Sequence, residues 1–589
     1  MKDKTIEILQ KIHFNHDKID NGLFYKSDGN ILISDNTMII GKNSNVNFGT
    51  YFNSFSVGKW KKYTQVDSVL LEISFKGCAE ITLYANKILY GNMHRIIVQR
   101  KIINSDEIST AILPYDCKQD VICYSFSLQV FSNEFELYSG RYITTEKYNR
   151  NNVYLALIFT TYNREAYIKK NLKNIKECNA QNIHTYVIDN ASNLAIRSTE
   201  SVTVRANSNV GGAGGFALGM ISAIDDMDRY HYTHCILMDD DANIEAFVIE
   251  RLITFLEFVK EKYQDSFVSG AMLRKDLSYY QVESGALWNQ GRIKSNGQGI
   301  DLRDEMQCML NSKECGGTDY AAWWFCVVPI KYIRNDNLPL PIFVFNDDVD
   351  FSIRNKPNII TINGVCVWHD AFESKRNVMR CYYESRNRLI VNSCNCLTEN
   401  KRQCIRNLKR IILFDVNLYQ YQNAYATLKG VEDYLKGPEW LLELNAEDYN
   451  NHIIKHNIKM ERVDLLNFNY EWYRLCCTIK DCDKLHKFVR RITKNGYYLP
   501  ADREIILPLY ALNEEAGYRA KKIIYYDEIT NKGFTVLRDK KERKKIFKEY
   551  RIIKKQIKKR YDLVDGAYKK QYADLTSCKF WNKYLELKE

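Results

Sequence analysis

The sequence lacks any uncharged apolar run close to the roughly 20 residues that a membrane-spanning helix requires. Its 17 cysteines include no Cys-x-x-Cys pair, and the charged opening Met1–Lys4 does not resemble a signal peptide. These absences argue against a secreted disulfide scaffold. We therefore expect a cytoplasmic protein that is soluble or peripheral.

No internal repeat and no low-complexity linker divides the 589 residues, yet the pattern changes twice along the chain. Residues 1–150 alternate apolar and polar side chains, as in Ser68–Phe75, Glu80–Tyr84 and Tyr124–Val130, which predicts a β-sandwich domain. From 151 to 395 the pattern is strand, loop, helix, strand. Residues 396–589 have helical periodicity, so we expect a C-terminal helical domain.

The middle segment has the pattern of an α/β domain with a mainly parallel sheet. Val153–Phe159 and Ile183–Ile188 are continuous apolar runs, typical of strands that are buried on both faces. We therefore predict an α/β fold for 151–395, flanked by the β-sandwich and the helical domain.

Acidic clusters are the most informative feature of this segment. Ile236–Asp241 ends an apolar run in three aspartates, Asn346–Asp350 carries a second carboxylate group, and Val367–Asp370 adds a histidine. Asp-x-Asp with a histidine suits Mn²⁺ or Mg²⁺ held together with a substrate's phosphates. By itself the first cluster is equally typical of a helix start, because Ala242–Lys262 has helical periodicity and Asp caps helices.

Other polar residues follow the predicted strands. Arg164 suits a diphosphate, since a guanidinium binds such groups in a bidentate manner, and Asp189 suits a uracil or ribose. Each is equally compatible with a surface or capping role. The glycine-rich run Asn209–Gly215 allows a close backbone approach but has neither the Lys-Ser/Thr of a phosphate loop nor GxGxxG spacing.

Taken in their order along the chain, these motifs resemble those of the galactan-polymerising galactofuranosyltransferases, a family of inverting glycosyltransferases with the GT-A fold. The resemblance extends over roughly residues 45–390. It is carried by Thr160–Arg164, Val187–Asn190, Asn209–Phe216, Met238–Asp241, Trp323–Cys326, Asn346–Phe351 and Val367–His369, with Asn47–Asn53 and Trp60–Thr64 in the β-rich region.

The resemblance implies a role for each matching residue. Asp239, Asp241 and His369 would hold the metal, Mn²⁺ or Mg²⁺, with the donor diphosphate. Asp348 would be the general base, and Asp347 would orient sugar hydroxyls. The remaining expected substrate contacts are Arg164, Asp189 and Asn209 for the uridine diphosphate, Asp240 for the sugar, and Trp323, Trp324 and Glu283 for the acceptor.

The implied activity is metal-dependent, inverting transfer of galactofuranose from UDP-galactofuranose to a cell-surface glycan or lipid-linked glycan. The alternatives are a rhamnosyl or galactopyranosyl donor, or an inactive carbohydrate-binding protein. No nucleic-acid partner is expected, and the sequence is compatible with a homo-oligomer.

The C-terminal helices carry an uneven charge. Arg538–Arg560 contains thirteen Lys or Arg against three Asp or Glu, in a chain of net charge +12. Such a run is usually a solvated helix, but it also suits contact with the anionic inner face of the cell membrane.

Overall fold

The computed structural model describes residues 6–585 apart from 118, 179, 290, 314–315, 371–375, 398, 467, 478–483 and 510–513. The chain forms two compact units. The sheet unit comprises Met1–Ser208, Gly215–Leu338 and Ser352–Asp370; the helical unit comprises Asn209–Gly214, Pro339–Phe351 and Ala371–Glu589.

The N-terminal strands of the sheet unit form one hydrogen-bonded sheet. They are β1 (Glu7–Lys11), β2 (Lys26–Ser27), β3 (Ile31–Ser34), β4 (Thr37–Gly41), β5 (Asn45–Asn47), β6 (Leu70–Leu89), β7 (Asn92–Pro114), β8 (Cys123–Val130) and β9 (Glu134–Thr144). Their order is β2-β5-β8-β6-β9-β4-β3, with β1 on β9 and β7 on β6. Strand β6 connects two groups of strands, because β8 pairs with one half of it and β9 with the other. The β-sandwich stays a prediction.

Strand β6 also unites two strands that the sequence analysis separated, Ser68–Phe75 and Glu80–Tyr84. Gly77 between them has φ of 109°, which a side chain rarely tolerates, and the pairing with β7 shifts register there. The glycine therefore makes a bulge within the strand rather than a turn.

The second sheet of this unit has seven strands in the order β12-β11-β10-β13-β20-β14-β21. They are β10 (Leu155–Thr161), β11 (Ile183–Asp189), β12 (Val202–Ala206), β13 (His234–Asp239), β14 (Phe267–Ser269), β20 (Cys326–Pro329) and β21 (Ile359–Ile360). Every residue of β10 and β11 is buried, which confirms the two predicted strands. β10 pairs in parallel with both β11 and β13.

A smaller sheet consists of β15 (Ala271–Arg274), β16 (Tyr280–Glu283), β19 (Ile300–Asp301) and β22 (Cys366–His369). Its strand order is β19-β16-β15-β22. A separate two-stranded sheet pairs β17 (Ala286–Trp288) with β18 (Ile293–Ser295). β22 lies parallel to β15, an arrangement that brings the chain after residue 366 back to the predicted site.

The helices of the sheet unit are α1 (Val57–Tyr63), α2 (Glu165–Glu177), α4 (Met227–Tyr230), α5 (Ala246–Phe258) and α6 (Glu305–Ser312). Helix α3 (Gly211–Asp225) and helix α7 (Asp347–Asn355) each include residues of both units. Gly215 and Gly219 of α3 allow close packing, since a Cβ at either position would lie 1.8 Å from Thr160 Oγ1 or 2.2 Å from Ile158 Cγ2.

The helical unit contains α8 (Val378–Cys394), α9 (Lys401–Asn417), α10 (Tyr421–Tyr434), α11 (Pro438–Leu442), α12 (Ala446–Ile454), α13 (Tyr470–Cys477), α14 (Lys484–Ile492), α15 (Lys540–Leu575) and α16 (Cys578–Tyr584). It also contains a sheet that the helical prediction missed, with strands β23 (Glu461–Arg462), β24 (Arg503–Pro508), β25 (Ala520–Asp527) and β26 (Lys532–Leu537). Short strands between prolines and turns carry little periodicity, and helical patterns on both sides dominate the sequence.

Helix α15 buries one stripe of its surface. Ile546, Tyr550, Ile553, Ile557 and Tyr561 recur at three- and four-residue intervals on its buried face, as in an amphipathic helix. Among the described helices, none is long and apolar enough to cross a membrane.

Candidate active site

The carboxyl ends of three parallel strands bring the first acidic residues together. Thr160 on β10 is in register with Asp239 at the end of β13, and Thr161 is in register with Asp189 at the end of β11. Ligands of open α/β sheets bind at this edge. The two aspartates thus flank the end of β10 at the position predicted for a nucleotide.

The acidic cluster is not a helix cap, because helix α5 begins only at Ala246. Asn243 instead forms an antiparallel bridge with Trp368 of β22, through hydrogen bonds of 2.8 and 3.0 Å in the two directions. This bridge places the end of β22 beside the end of β13. It therefore brings His369 to Asp241 although the two residues are far apart in the sequence.

Asp239, Asp241 and His369 form a metal-ligand arrangement. One ligand atom of each lies within 4.8 Å of the others, and His369 Nε2 is 2.8 Å from Asp241 Oδ1. His369 Nδ1 is 2.7 Å from the carbonyl oxygen of Asp370; donation of an Nδ1 proton to that oxygen leaves Nε2 available as a ligand. Two carboxylates and one neutral imidazole suit a hard divalent cation such as Mn²⁺, so the residues present fit the predicted metal.

Arg164 lies against this cluster. Its Nη1 is 2.8 Å from Asp240 Oδ1 and 2.9 Å from Asp241 Oδ2. Burial lowers the pKa of Arg164, but the Asp240 and Asp241 carboxylates outweigh it and raise the pKa above its ordinary value. The guanidinium is therefore held as a cation next to the three candidate metal ligands.

Asp240 is engaged by the protein on both oxygens. Thr161 Oγ1 donates to Asp240 Oδ2 at 2.7 Å, and Arg164 donates to Oδ1. Burial nevertheless raises the pKa of Asp240. The sequence analysis missed Thr161, and also Lys275, whose Nζ donates to the carbonyl oxygen of Asp241 at 2.5 Å.

Asp189 organises the loop that follows β11. Its carboxylate accepts backbone N–H bonds from Ala191, Asn193 and Leu194 at 2.7–3.0 Å. The side chain is 3% exposed, so it shapes the wall of the site through this loop. Direct contact with uridine stays a prediction.

The residues predicted to contact the acceptor are buried. Trp323 and Trp324 are 4% and 8% exposed; Trp324 Nε1 donates to the carbonyl oxygen of Gly270 at 3.1 Å, and the Trp323 ring packs edge-on against Phe216. Glu283 accepts a hydrogen bond from Ser295 Oγ. The tryptophan contacts are those of core side chains, and the acceptor role of the three residues stays a prediction.

The second carboxylate pair lies in the helical unit, at the first turn of α7. Asp347 is buried and Asp348 half-buried. Burial and the neighbouring Asp348 carboxylate raise the pKa of Asp347 to about 8. A like charge next to a buried carboxyl group disfavours its ionised form, so Asp347 retains its proton at a higher pH than an exposed aspartate does.

The loop before this pair has a strained backbone. Phe343, Phe345 and Asn346 have φ of 73°, 65° and 70°, a region that costs side chains roughly 1–3 kcal/mol each. Such strain persists where surrounding structure enforces it, and it is concentrated at functional sites.

Helix α8 supplies that enforcement. Asn387 Nδ2 donates to the carbonyl oxygens of Ile342, Val344 and Phe345 at 3.1, 2.6 and 3.0 Å, and Arg386 Nη2 donates to Ile342 at 2.7 Å. No motif in the sequence identifies these two positioning residues, because both lie inside a regular helix.

Asp350 and the predicted residue Asn209 have structural partners in the same unit. Asp350, on α7, accepts from Asn395 Nδ2 at 2.8 Å and from the Tyr572 hydroxyl at 2.6 Å, and is fully buried. Asn209 Oδ1 accepts from the Gly211 N–H at 3.2 Å, and its Nδ2 is 3.4 Å from Glu447 Oε1. Nucleotide binding by Asn209 stays a prediction.

Comparison with known proteins identifies the class. Residues 26–133 match a family model described as Galactofuranosyltransferase 2 N-terminal. Galactofuranosyltransferase GlfT2 of Mycobacterium tuberculosis is 23% identical over 443 residues, which cover 69% of this chain and 67% of that protein. GlfT2 of Mycolicibacterium smegmatis is 23% identical over 440 residues, covering 69% and 66%. The matches thus span about two thirds of each relative.

Solved structures are more distant. Staphylococcus aureus TarS 1-349 is 11% identical over 52% of this chain and 87% of that chain, with a TM-score of 0.27. A family 29 carbohydrate-binding module, CBM29-2, is 16% identical over 24% of this chain and 89% of that chain, with a TM-score of 0.17. Neither score is high enough to support an argument about the fold.

The sequence matches and the ordered motifs define the protein as a glycosyltransferase. Within that class the family model and the two relatives confirm the resemblance to galactofuranosyltransferases seen in its motifs.

Proposed function

We propose that this chain is an inverting transferase of GT-A type that moves galactofuranose from UDP-galactofuranose to a glycan acceptor with the help of a divalent cation. The observation that carries the proposal is the cluster of Asp239, Asp241 and His369 at the carboxyl edge of the seven-stranded sheet. The family relationship supports the choice of donor sugar.

In this proposal the three ligands hold Mn²⁺ or Mg²⁺, and a bound cation neutralises the charge that develops on the departing diphosphate. Arg164 adds a second positive charge beside the same cluster. Asp240, which Arg164 and Thr161 hold in place, faces the donor sugar. The Asp189 loop and Asn209 bind the uridine portion.

Asp348 is the proposed general base. It takes the proton of the attacking acceptor hydroxyl as that oxygen bonds to the anomeric carbon, and the bond to UDP breaks with its electron pair leaving on UDP. Attack on the face opposite the leaving group inverts the anomeric configuration. Asp347, protonated because of its raised pKa, donates a hydrogen bond that orients a sugar hydroxyl. Glu283 and the two tryptophans support the acceptor side.

We also propose that the enzyme works at the inner face of the cell membrane on a lipid-linked glycan. Helix α15 exposes Lys555, Lys558 and Lys559, which we call the outer-face lysines. Basic residues near an anionic leaflet contribute roughly 1 kcal/mol each. Three such residues give weak, reversible attachment.

A donor panel tests the proposal. Purified protein is incubated with UDP-galactofuranose, UDP-galactopyranose or a nucleotide-linked rhamnose, with a galactofuranose oligomer as acceptor, in Mn²⁺ or in EDTA, and released nucleotide is measured. We expect release only from UDP-galactofuranose and only with the cation. Release from another donor would reassign the sugar, and glycan binding without release from any donor would support the inactive alternative.

A further inference from the structure

The helical unit contains a large cavity of about 1390 Å³, which we call the basic cleft. Helices α9, α14 and α15 contribute to its walls. Ten of its lining residues are Lys or Arg and two are Glu. A concave surface lined by one sign of charge concentrates the electrostatic potential and attracts ions of opposite sign.

The two glutamates do not balance this charge. Glu515 forms an ion pair with Arg490, and Glu514 accepts a hydrogen bond from Asn417 Nδ2 at 2.7 Å. Among the residues that the structure describes, no carboxylate lies within ion-pair distance of the cleft residues Lys544, Lys548 or Arg551. Their mutual repulsion is best relieved by an anionic ligand.

The spacing of the cations on α15 indicates the shape of that ligand. Lys540, Lys544, Lys548 and Arg551 follow one another at three- and four-residue intervals and all line the cleft. With a rise of 1.5 Å per residue, the row extends over roughly 16 Å. A row of this length suits an extended ligand with several charges better than a single compact ion.

Aromatic rings lie among the cations. Arg543 is 4.8 Å from the centre of the Tyr497 ring and 5.4 Å from that of Phe547, and Lys494 Nζ is 5.0 Å from the centre of the Tyr498 ring. Tyr498 is 60% exposed. Flat exposed rings stack on sugars, so the cleft combines the two chemistries that a charged glycan presents.

We propose that the basic cleft binds an anionic glycan, an extended sugar chain with carboxylate or phosphate groups on successive residues, as a part of the acceptor distant from the reacting end. This inference rests on the proposed function for its choice of a glycan. A flat bilayer does not enter a concave cavity, which disfavours a membrane as the occupant of the cleft.

Direct binding tests the proposal without catalysis. Fluorescence anisotropy is measured with a labelled galacturonate hexamer, a neutral galactose hexamer and an oligodeoxynucleotide with six phosphates. The cleft variant is Lys544→Gln, Lys548→Gln and Arg551→Gln. The control variant removes the same charge from the same helix by changing the three outer-face lysines to Gln. Circular dichroism and thermal unfolding establish that both variants fold.

We expect the wild-type protein to bind the galacturonate hexamer more tightly than the neutral hexamer, and this binding to weaken with salt as exposed charges are screened. The cleft variant should lose about tenfold in affinity, from weak but additive contributions of three cations. The control variant should lose less than twofold.

Three results would overturn the proposal: equal losses in both variants, oligonucleotide binding as tight as galacturonate binding, or no binding by the wild type. Anionic vesicles provide a further arm, since vesicle binding that falls in the cleft variant alone would assign the cleft to lipid. UDP release with a neutral acceptor is measured in parallel, so that failure of the cleft proposal is distinguished from failure of the proposed transferase activity.

Discussion

Asn387→Ala is predicted to reduce turnover by releasing the strained loop before Asp347 and Asp348. The substitution removes the three hydrogen bonds that Asn387 donates to the carbonyl oxygens of residues 342, 344 and 345. The side-chain amide has two N–H groups, so one of them is shared between two acceptors. At about 0.5–1.5 kcal/mol net for each donated N–H, the loop loses about 1–3 kcal/mol of support.

The lost hydrogen bonds hold a loop that is already strained. Three left-handed residues, Phe343, Phe345 and Asn346, cost roughly 3–9 kcal/mol together. A relaxed loop would then become the populated conformation, and the carboxylate pair would leave its working position. Since about 1.4 kcal/mol corresponds to a factor of ten, we expect kcat to fall between about fivefold and about 150-fold.

The assay is UDP release at saturating donor and acceptor, with UDP affinity from calorimetry. We expect UDP affinity to change less than threefold, because the metal ligands are unchanged. Asn392→Ala is the matched control: Asn392 is also buried on α8, and its Nδ2 donates to Glu399 at 2.7 Å, away from the loop. Equal loss of turnover in both variants at similar melting temperatures, or full turnover of Asn387→Ala, would contradict this role of Asn387.

Four further outcomes are expected. EDTA should abolish transfer and His369→Ala should weaken donor binding at least tenfold by calorimetry; full activity in EDTA would contradict the metal site. Asp348→Asn should lower kcat by about 10²- to 10⁴-fold with little change in UDP affinity, and a parallel loss of donor binding would move Asp348 to the nucleotide site. Asp347 has a pKa near 8 in the folded protein, against about 4 when unfolded. Its contribution to the free energy of unfolding should therefore be present below pH 4 and lost as the pH rises towards 8. In chemical denaturation, Asp347→Asn should flatten the dependence of the free energy of unfolding on pH between these values, and an unchanged slope would argue against the raised pKa. Changing the outer-face lysines to Gln should weaken sedimentation with anionic vesicles at low salt, whereas equal sedimentation of wild type and variant would exclude the membrane contact.

Local patterns in the sequence predicted the parts of the site that depend on neighbouring residues. The apolar runs that became β10 and β11 are buried along their whole length, and aspartates directly after such runs lie at the carboxyl edge of the sheet. The helical periodicity noted for Ala242–Lys262 corresponds to α5, on which Phe247, Leu252, Phe255 and Leu256 are buried. Each of these features follows from strand or helix periodicity.

Other features could not be predicted from short segments of the sequence. The first acidic cluster was equally compatible with a helix cap until the bridge between Asn243 and Trp368 delayed the helix to Ala246. Two predicted strands became the single strand β6, because Gly77 permits a bulge. Asn387 gave no signal at all, since its three acceptors are backbone carbonyls more than forty residues away.

The sequence by itself determined which residues carry charge, which segments are buried strands and which family the chain resembles, because these depend on residue type and short-range order. Only the tertiary structure decided that His369 meets Asp241, that α8 enforces the strained loop, and that basic residues of three helices face one cavity. Contacts of this kind depend on how distant strands pair and how helices pack, and the periodicity of a single segment contains no information about either.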